Sequence, residues 1–235
     1  MSATDQAGTI KVFGSLAVAD VMGEFLPQFE RASGFRVSGT FEPSKAIMDR
    51  LRAGETGDLV MVLPGALDEL QAIGAIDPAS RVKVVRTGVA IAVKAGAQRP
   101  DIGTAEALKQ TLLAAQSLAY TLHGASGMHF ATVVERLGLT DALRARTTRV
   151  DHPVRAGDLV AKGEAEIGVQ QWSELAAIPG IDIIGFLPGE LASSVTIEAA
   201  IFAGSANATG GRAFIAFLRD PARAPAFAKL GLFQV

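Results

Sequence analysis

Apolar and polar positions near the start of the chain form a short strand pattern that is followed at once by a helical one. Residues 10–13 are a β-rich run that ends at Gly14 and Ser15. Apolar residues then recur every three or four positions, at Val18, Val21, Met22, Phe25 and Phe29. This spacing predicts a helix that buries one face and begins next to Ser15.

The same change from strand pattern to helical pattern recurs along the chain. Further strands are predicted at 35–41, 58–63, 82–93 (one strand or two), 117–122, 147–150, 167–169 and 195–202. Further helices are predicted from Ser44 to a stop at Gly54, and at 66–73, 104–115, 127–137, 154–162, 211–218 and 225–230. Strands that alternate with helices are typical of βαβ units and parallel sheets.

This alternation predicts an α/β fold with two lobes joined by crossing strands. We expect residues 1–85 together with 196–235 to form the first lobe, and residues 86–195 to form the second. A ligand is expected in a cleft between the lobes, at the carboxyl ends of the strands.

Three serines stand where a predicted strand gives way to a helix, namely Ser15, Ser44 and Ser126. The first turn of a helix has unpaired N–H groups and the positive end of the helix dipole, which together attract anions. Serine is also a favoured capping residue, so each of the three could serve as a cap alone. Three such corners in one chain predict contacts with one small anionic ligand.

Composition limits the classes of function that the chain can have. Its 235 residues are 49% apolar and 20% charged with a formal net charge of −2, and lysines and arginines are scattered, so no nucleic-acid partner is expected. No apolar stretch reaches membrane-spanning length. The absence of cysteine excludes disulfides, thiol catalysis and zinc–thiolate sites. We expect a monomer without a cofactor.

The first residues, MSATDQAG, contain neither a basic segment nor the apolar segment of a signal peptide. This pattern predicts a cytoplasmic protein as the sequence is written, or a periplasmic one if the chain is a mature form.

Several stretches together carry a resemblance to a known family. They are VFGSLAVADVMGEFLPQFERASGFRV, FEPSKAIMDRLRAGETGDLVMVL, LHGASGMHF and VRAGDLVAKGEAEIGVQQWSEL. In this order they resemble the molybdate-binding substrate-binding proteins of ABC transporters, whose scaffold is also that of aconitate isomerase. The resemblance implies a type II periplasmic-binding-protein fold, hinge closure on a ligand and, for a periplasmic protein, an ABC permease as partner.

The resemblance also implies which residues contact the ligand. The family's two serine ligands fall on Ser15 and Ser44, its backbone donors fall on Ser126 and on Pro153 or Val154, and its tyrosine donor falls on Gln171. The full predicted set is Gly14, Ser15, Ser44, Lys45, Gly124, Ala125, Ser126, Val154, Gln170 and Gln171. Segment 124–127, GASG, lacks the G-x-S-x-G spacing of a serine nucleophile and is interpreted as a tight backbone approach to an anion.

Departures from the family pattern favour an organic ligand over molybdate. Glu42 and Pro43 replace a Gly-Ser pair, and Lys45 follows Ser44. A carboxylate at Glu42 would repel a dianionic oxyanion, whereas Lys45 and a pair of glutamines suit an organic acid. Proline at 153 would also remove an N–H donor.

Acid–base chemistry has four candidates, which are His123, His129, His152 and Glu42. His123 and His152 fall just past the carboxyl ends of second-lobe strands and His129 falls in the first turn of the helix after Ser126, where a group that titrates near neutrality is useful. Loop histidines are equally often only solvated. Their spacing matches no metal-binding motif, so no metal is expected.

The sequence therefore leaves three functions open. The first is a solute-binding protein that binds a small anion, an organic carboxylate being favoured, by hinge closure. The second is an isomerase that moves a proton within an unsaturated, aconitate-like acid. The third is the molybdate- or tungstate-binding component of an ABC transporter.

Overall fold

The computed structural model describes residues 8–235. The strands are β1 Thr9–Ser15, β2 Arg36–Glu42, β3 Leu59–Val62, β4 Val82–Lys94, β5 Leu118–Thr121, β6 Thr147–Val150, β7 Ile167–Gln171, β8 Ile181–Phe186, β9 Ser194–Ile201 and β10 Phe233–Gln234. The α-helices are α1 Ala19–Ser33, α2 Ser44–Arg52, α3 Pro64–Ala72, α4 Ala105–Ala114, α5 Ala125–Arg136, α6 Thr140–Arg144, α7 Ala156–Lys162, α8 Trp172–Ala176, α9 Ala208–Arg219 and α10 Ala224–Lys229. Each predicted strand and helix is present, and β4 is a single strand. The pattern missed α6, α8, β8 and β10, which are short or lack clear periodicity.

The chain divides into two compact units, each described here by itself. Unit 1 is Met1–Arg86 with Val195–Val235, and unit 2 is Thr87–Ser194. Strand β4 contributes its first residues to unit 1 and the remainder to unit 2.

Unit 1 has a sheet with strand order β2-β1-β3-β9. Strand β1 is parallel to both β2 and β3, and β3 is antiparallel to β9. Strand β10 pairs with the start of β4. Because β1 and β2 are parallel and in register from end to end, their carboxyl ends lie at the same edge, with Ser15 opposite Glu42.

Helices cover both faces of the unit 1 sheet. The apolar side chains of β1 alternate, so that Ile10 and Val12 pack in a core with α1 and α9, whereas Phe13 packs in a second core with α2 and α3. All four residues of β3 are buried, as expected of a strand covered on both faces. This continuous apolar run is what predicted the strand.

A buried carboxylate holds together the other end of the unit 1 sheet. Asp58 accepts hydrogen bonds from the backbone N–H of Lys11 (2.8 Å), the Ser205 hydroxyl (2.7 Å) and the Asn207 N–H (2.8 Å). Burial acts to raise the pKa of Asp58, but these donors outweigh it, so the pKa lies below its ordinary value. The group therefore stays ionised at neutral pH and connects β1, β3 and the segment before α9.

Unit 2 has strand order β4-β7-β5-β6, with β8 also paired to β4. Strand β5 is parallel to β6 and β7, whereas β4 is antiparallel to β7 and β8. Thr121, the last residue of β5, lies opposite Val150, the last residue of β6. The carboxyl ends of β5, β6 and β7 thus share one edge.

Helices also cover both faces of the unit 2 sheet. On one face, residues of β5 and β7 form a core with α4, α5 and α6 that includes Leu108, Phe130 and Leu143. On the other face, small residues such as Ala90 and Ala119 pack against α7 and α8. Both units therefore have three layers, with a sheet between two layers of helices.

The predicted parallel pairing is present among β1–β3 and among β5–β7. Strands β4, β8, β9 and β10 make antiparallel pairs. Among residues 8–235, we find no helix with the length and apolarity needed to span a membrane.

Candidate functional site

The carboxyl ends of β1 and β2 place three polar residues at one edge of unit 1. We call Ser15, Glu42 and Ser44 the first edge. Ser15 is buried and caps the 3₁₀ turn Leu16–Val18, because its Oγ accepts a hydrogen bond from the Ala17 N–H (3.3 Å). The predicted capping role of Ser15 is thus confirmed, and the second lone pair of the hydroxyl oxygen and its proton remain for another partner.

Ser44 is the first residue of α2, not its cap. The capping position belongs to Pro43, which makes no side-chain capping hydrogen bond. A purely capping role for Ser44 is therefore ruled out, and the first-turn N–H groups of α2 have no acceptor within the helix. This start of α2 can accommodate an anion.

The charged residues around Ser44 are paired with one another. Lys45 Nζ lies 2.7 Å from Asp49, and its hydrogen bond lowers the pKa of Asp49. Glu42 lies 3.2 Å from Arg50 Nη1. Because Arg50 offsets the charge of Glu42, the repulsion that Glu42 was expected to exert on an oxyanion is weaker than its sequence position suggested.

Gly14 is required by close packing within the first edge. A Cβ atom at this position would lie 2.5 Å from the ring of Phe41, the residue opposite it on β2. The Phe41 ring therefore lies directly over the backbone before Ser15. No pattern in the sequence indicated this contact.

The carboxyl ends of β5, β6 and β7 bring together a second set of polar residues in unit 2. We call His123, Ser126, Asp151 and Gln171 the second edge. Ser126 is the second residue of α5 and is buried, and its Oγ lies 3.3 Å from the Thr121 hydroxyl. The helix begins at Ala125 with Gly124 as an N-cap that has no side chain, so its first N–H groups lack a side-chain partner. This start of α5 is a second anion-accommodating helix end.

The GASG segment makes its tightest approach to the end of β5. A Cβ atom at Gly127 would lie 1.6 Å from the carbonyl oxygen of Thr121, and one at Gly124 would lie 2.6 Å from the Thr121 hydroxyl. Glycine at positions 124 and 127 therefore allows the start of α5 to pack closely against the end of β5. The helix begins two residues earlier than predicted, with Gly127 inside it.

His123 forms a pair with an acidic residue that the sequence analysis did not single out. Its Nδ1 lies 2.9 Å from Asp151 Oδ2, and its backbone N–H donates to Asp151 Oδ1 (3.2 Å). A carboxylate only accepts, so Nδ1–H is the donor of this pair, and in the neutral tautomer the lone pair then lies on Nε2. The sequence signal that could have identified Asp151 is its position directly after β6, because β6 is parallel to β5 and the two strands end side by side.

The other two histidines have different surroundings. His129 Nε2 lies 2.9 Å from the carbonyl oxygen of Leu191, so this ring atom bonds to the backbone. His152 lies in the loop after β6 and, like His123, is exposed. Of the three, His123 is the one whose ring is oriented by a carboxylate among the described residues.

The neighbouring glutamines Gln170 and Gln171 are both buried but differ in their hydrogen bonds. Gln170 Oε1 accepts from the Ala156 N–H (2.9 Å), and its Nε2 donates to Glu174. Gln171 Oε1 has no hydrogen-bond partner within residues 8–235. Consecutive strand residues point to opposite faces of the sheet. Gln170 therefore has a structural role on one face, whereas the Gln171 oxygen on the other face remains free to bind.

The predicted backbone donor at Val154 is already used within a turn. Its N–H donates to the Asp151 carbonyl (2.9 Å), and its side chain is exposed. Arg155 pairs with Asp158 through both guanidinium and backbone N–H groups. Across residues 8–235, no group of three or more histidine or acidic side chains is arranged to hold a metal ion.

Comparison with known proteins agrees with this architecture. A periplasmic molybdate-binding protein of Azotobacter vinelandii superposes with a TM-score of 0.77 at 18% identity, covering 95% of this chain and 98% of that one. A sulfate-binding protein of Mycobacterium tuberculosis superposes with a TM-score of 0.73 at 15% identity, covering 97% of this chain and 87% of that one. These similarities confirm the predicted periplasmic-binding-protein fold.

Sequence comparison extends the relationship to a family. Aconitate isomerase from a Pseudomonas species is 35% identical over 234 residues, which are 97% of this chain and 88% of that protein. The profile of the family described as bacterial extracellular solute-binding protein matches residues 10–233. This protein therefore belongs to the bacterial extracellular solute-binding protein family.

Proposed function

We propose that this protein binds an unsaturated polycarboxylate of the aconitate class and isomerises it by a 1,3-proton transfer. The observation that carries the proposal is the His123–Asp151 pair, which lies at the same strand edge as the uncapped start of α5. A relative named aconitate isomerase, 35% identical over 97% of the chain, supports the same reaction class.

The second edge combines the two parts that such a reaction needs. The first-turn N–H groups of α5 and the Ser126 hydroxyl are neutral donors suited to a carboxylate. His123 is the proposed base, because its hydrogen bond to Asp151 leaves Nε2 of the neutral ring to accept a proton from carbon. The first edge adds hydroxyls and N–H groups of the same kind at Ser15 and Ser44.

The reaction is balanced within the ligand itself. The base removes a proton from the methylene carbon between the double bond and a carboxylate, and the electron pair spreads over the allylic system. The protonated base returns the proton to the far carbon of the former double bond. The double bond has then moved by one position, no atom has been gained or lost, and no cofactor is needed.

Capture without turnover is the second candidate, and the match of residues 10–233 to a solute-binding family favours it. In that case the ligand would pass to an ABC permease, and the protein would act in the periplasm. The sequence-based hypothesis that both edges close on one ligand by a hinge motion belongs to both candidates.

Thermal melting with a panel of anions tests the binding step. At a concentration about 100 times the dissociation constant, a ligand that binds only the folded protein raises the melting temperature by about 5–10 °C for a chain of 235 residues. We expect this rise with trans-aconitate and with its saturated analogue tricarballylate. A rise with molybdate or sulfate, and none with any carboxylate, would contradict the proposal.

A further inference from the structure

Three buried polar atoms near the end of β7 lack a hydrogen-bond partner. They are Thr87 Oγ1, Gln171 Oε1 and Ser173 Oγ, and each of these residues is only 3% exposed. In the described part of the chain just one other buried side-chain atom is in this state, the Arg223 Nε of unit 1. The unpartnered atoms of unit 2 thus come from one short stretch of β7 and α8 and from β4 beside it.

The strand register places Thr87 next to Gln171. Val89 lies opposite Gln171 in the antiparallel pair of β4 and β7, and Thr87 precedes Val89 by two residues on the same strand. Side chains two apart on a strand share a face, and diagonal neighbours across two strands lie about 7–8 Å apart. The two side chains therefore lie side by side.

The shared face is the one that α5 covers. Val89 and Val169 belong to the same apolar core as Phe130 of α5, and Gln171 follows Val169 by two residues. Gln171 therefore lies on the α5 side of the sheet, at the end of the strand where α5 begins. Gln171 thus lies on the face where α5 begins, and Thr87 lies beyond it on β4.

Burying a polar group without a partner destabilises a fold, so native proteins keep such groups mainly where they bind something. Gln170 shows that the same strand can satisfy a buried amide completely. A hydroxyl and an amide left unsatisfied on neighbouring strands of one sheet face are therefore best explained by a polar group that arrives from outside.

We propose that Thr87 and Gln171 form a buried subsite in unit 2 that binds one carboxylate group of the ligand. This inference rests on the proposed function, because it identifies where one arm of the polycarboxylate lies. The hydroxyl of Thr87 donates to one carboxylate oxygen. A 180° rotation of the Gln171 amide exchanges its oxygen and nitrogen and directs an N–H to the same group.

Binding of tricarballylate to Thr87→Val tests the subsite. Tricarballylate has three carboxylates and no double bond, so binding is measured without turnover. Trp172, the only tryptophan, lies between Gln171 and Ser173, so its fluorescence reports on this site. Loss of a hydrogen bond to a charged group should weaken binding about 10- to 100-fold. Because the valine removes an unsatisfied hydroxyl, the free protein should melt about 2–4 °C higher.

Thr147→Val is the matched control. Thr147 begins β6 at the opposite edge of the same sheet, and its hydroxyl donates to the Leu143 carbonyl (2.8 Å). Removing this satisfied hydroxyl should lower the melting temperature and leave the tricarballylate affinity unchanged. Thr87→Val should therefore raise the melting temperature and weaken binding, whereas Thr147→Val should lower the melting temperature and leave binding unchanged.

Ligands that lack one carboxylate identify the group that the subsite binds. Glutarate lacks the central carboxylate of tricarballylate, and methylsuccinate lacks a terminal one. Thr87→Val and the wild type should bind equally well to the ligand that lacks the group bound by the subsite.

The outcomes separate the subsite from the proposed function. If the wild type binds tricarballylate and Thr87→Val binds it equally well, the subsite is wrong and the proposed function stands. A lower melting temperature for Thr87→Val with unchanged affinity would indicate a resident water and would also overturn the subsite. If the wild type binds no carboxylate, both proposals fail.

Discussion

Replacing His123 with glutamine is expected to reduce the rate of aconitate isomerisation by about 10²–10⁴-fold, the usual contribution of a positioned general base. Glutamine has no lone pair that accepts a proton from carbon, whereas His123 Nε2 has one because Nδ1–H is held by Asp151 at 2.9 Å. The rate is measured by following the conversion of trans-aconitate. The ligand should still raise the melting temperature of this variant, because the N–H groups at the start of α5 are unchanged.

Asp151→Asn tests whether Asp151 acts by orienting the His123 ring or only through its negative charge. An asparagine can turn its amide N–H toward Nδ1, which would place the proton on Nε2 and remove the base. We therefore expect a loss of rate close to that of His123→Gln. His152→Gln is the comparison, since His152 is an exposed neighbour in the same loop. If His152→Gln lost the activity and His123→Gln kept it, the assignment of the base would be wrong.

Replacing Gly127 with alanine is expected to destabilise unit 2 by about 3 kcal/mol or more, in the range of severe core substitutions. The added Cβ would lie 1.6 Å from the Thr121 carbonyl oxygen and 2.6 Å from its carbonyl carbon. Both atoms belong to the backbone of a central strand and cannot move aside. The start of α5 must therefore shift, and Ser126 shifts with it.

Urea unfolding followed by Trp172 fluorescence measures this effect, because the tryptophan lies in unit 2. Gly23→Ala is the control, since Gly23 lies in α1 of unit 1 with nothing within 4 Å of an added Cβ. There alanine should stabilise the helix by up to about 1 kcal/mol. An unfolding midpoint for Gly127→Ala equal to that of the wild type would contradict the packing described for α5.

Local patterns were sufficient to predict most of the fold. The spacing of Val21, Phe25 and Phe29 gives α1, and the apolar run of β3 gives a strand buried on both faces. Short elements such as α8 and β10 were missed because a few residues show no periodicity. Strands β4 and β9 were predicted as strands, but their antiparallel pairing was not. That pairing depends on the path of the chain between distant segments.

The candidate site was predictable in position but not in detail. Ser15, Ser44 and Ser126 were found because each stands at a change from strand to helix. The partners that decide their chemistry are distant in sequence, as for His123 with Asp151, and no local pattern reveals such pairs. In the same way, the sequence suggested that Glu42 repels an anion because the compensating Arg50 was not expected.

The measurement that tests the central claim most directly is proton NMR of trans-aconitate incubated with the wild-type protein in D₂O. Proton transfer through a base that exchanges with solvent predicts that the cis isomer appears and that deuterium enters the ligand at the two exchanging carbons. If trans-aconitate raises the melting temperature but is neither converted nor deuterated, the protein captures the ligand without isomerising it, and the proposed reaction is wrong.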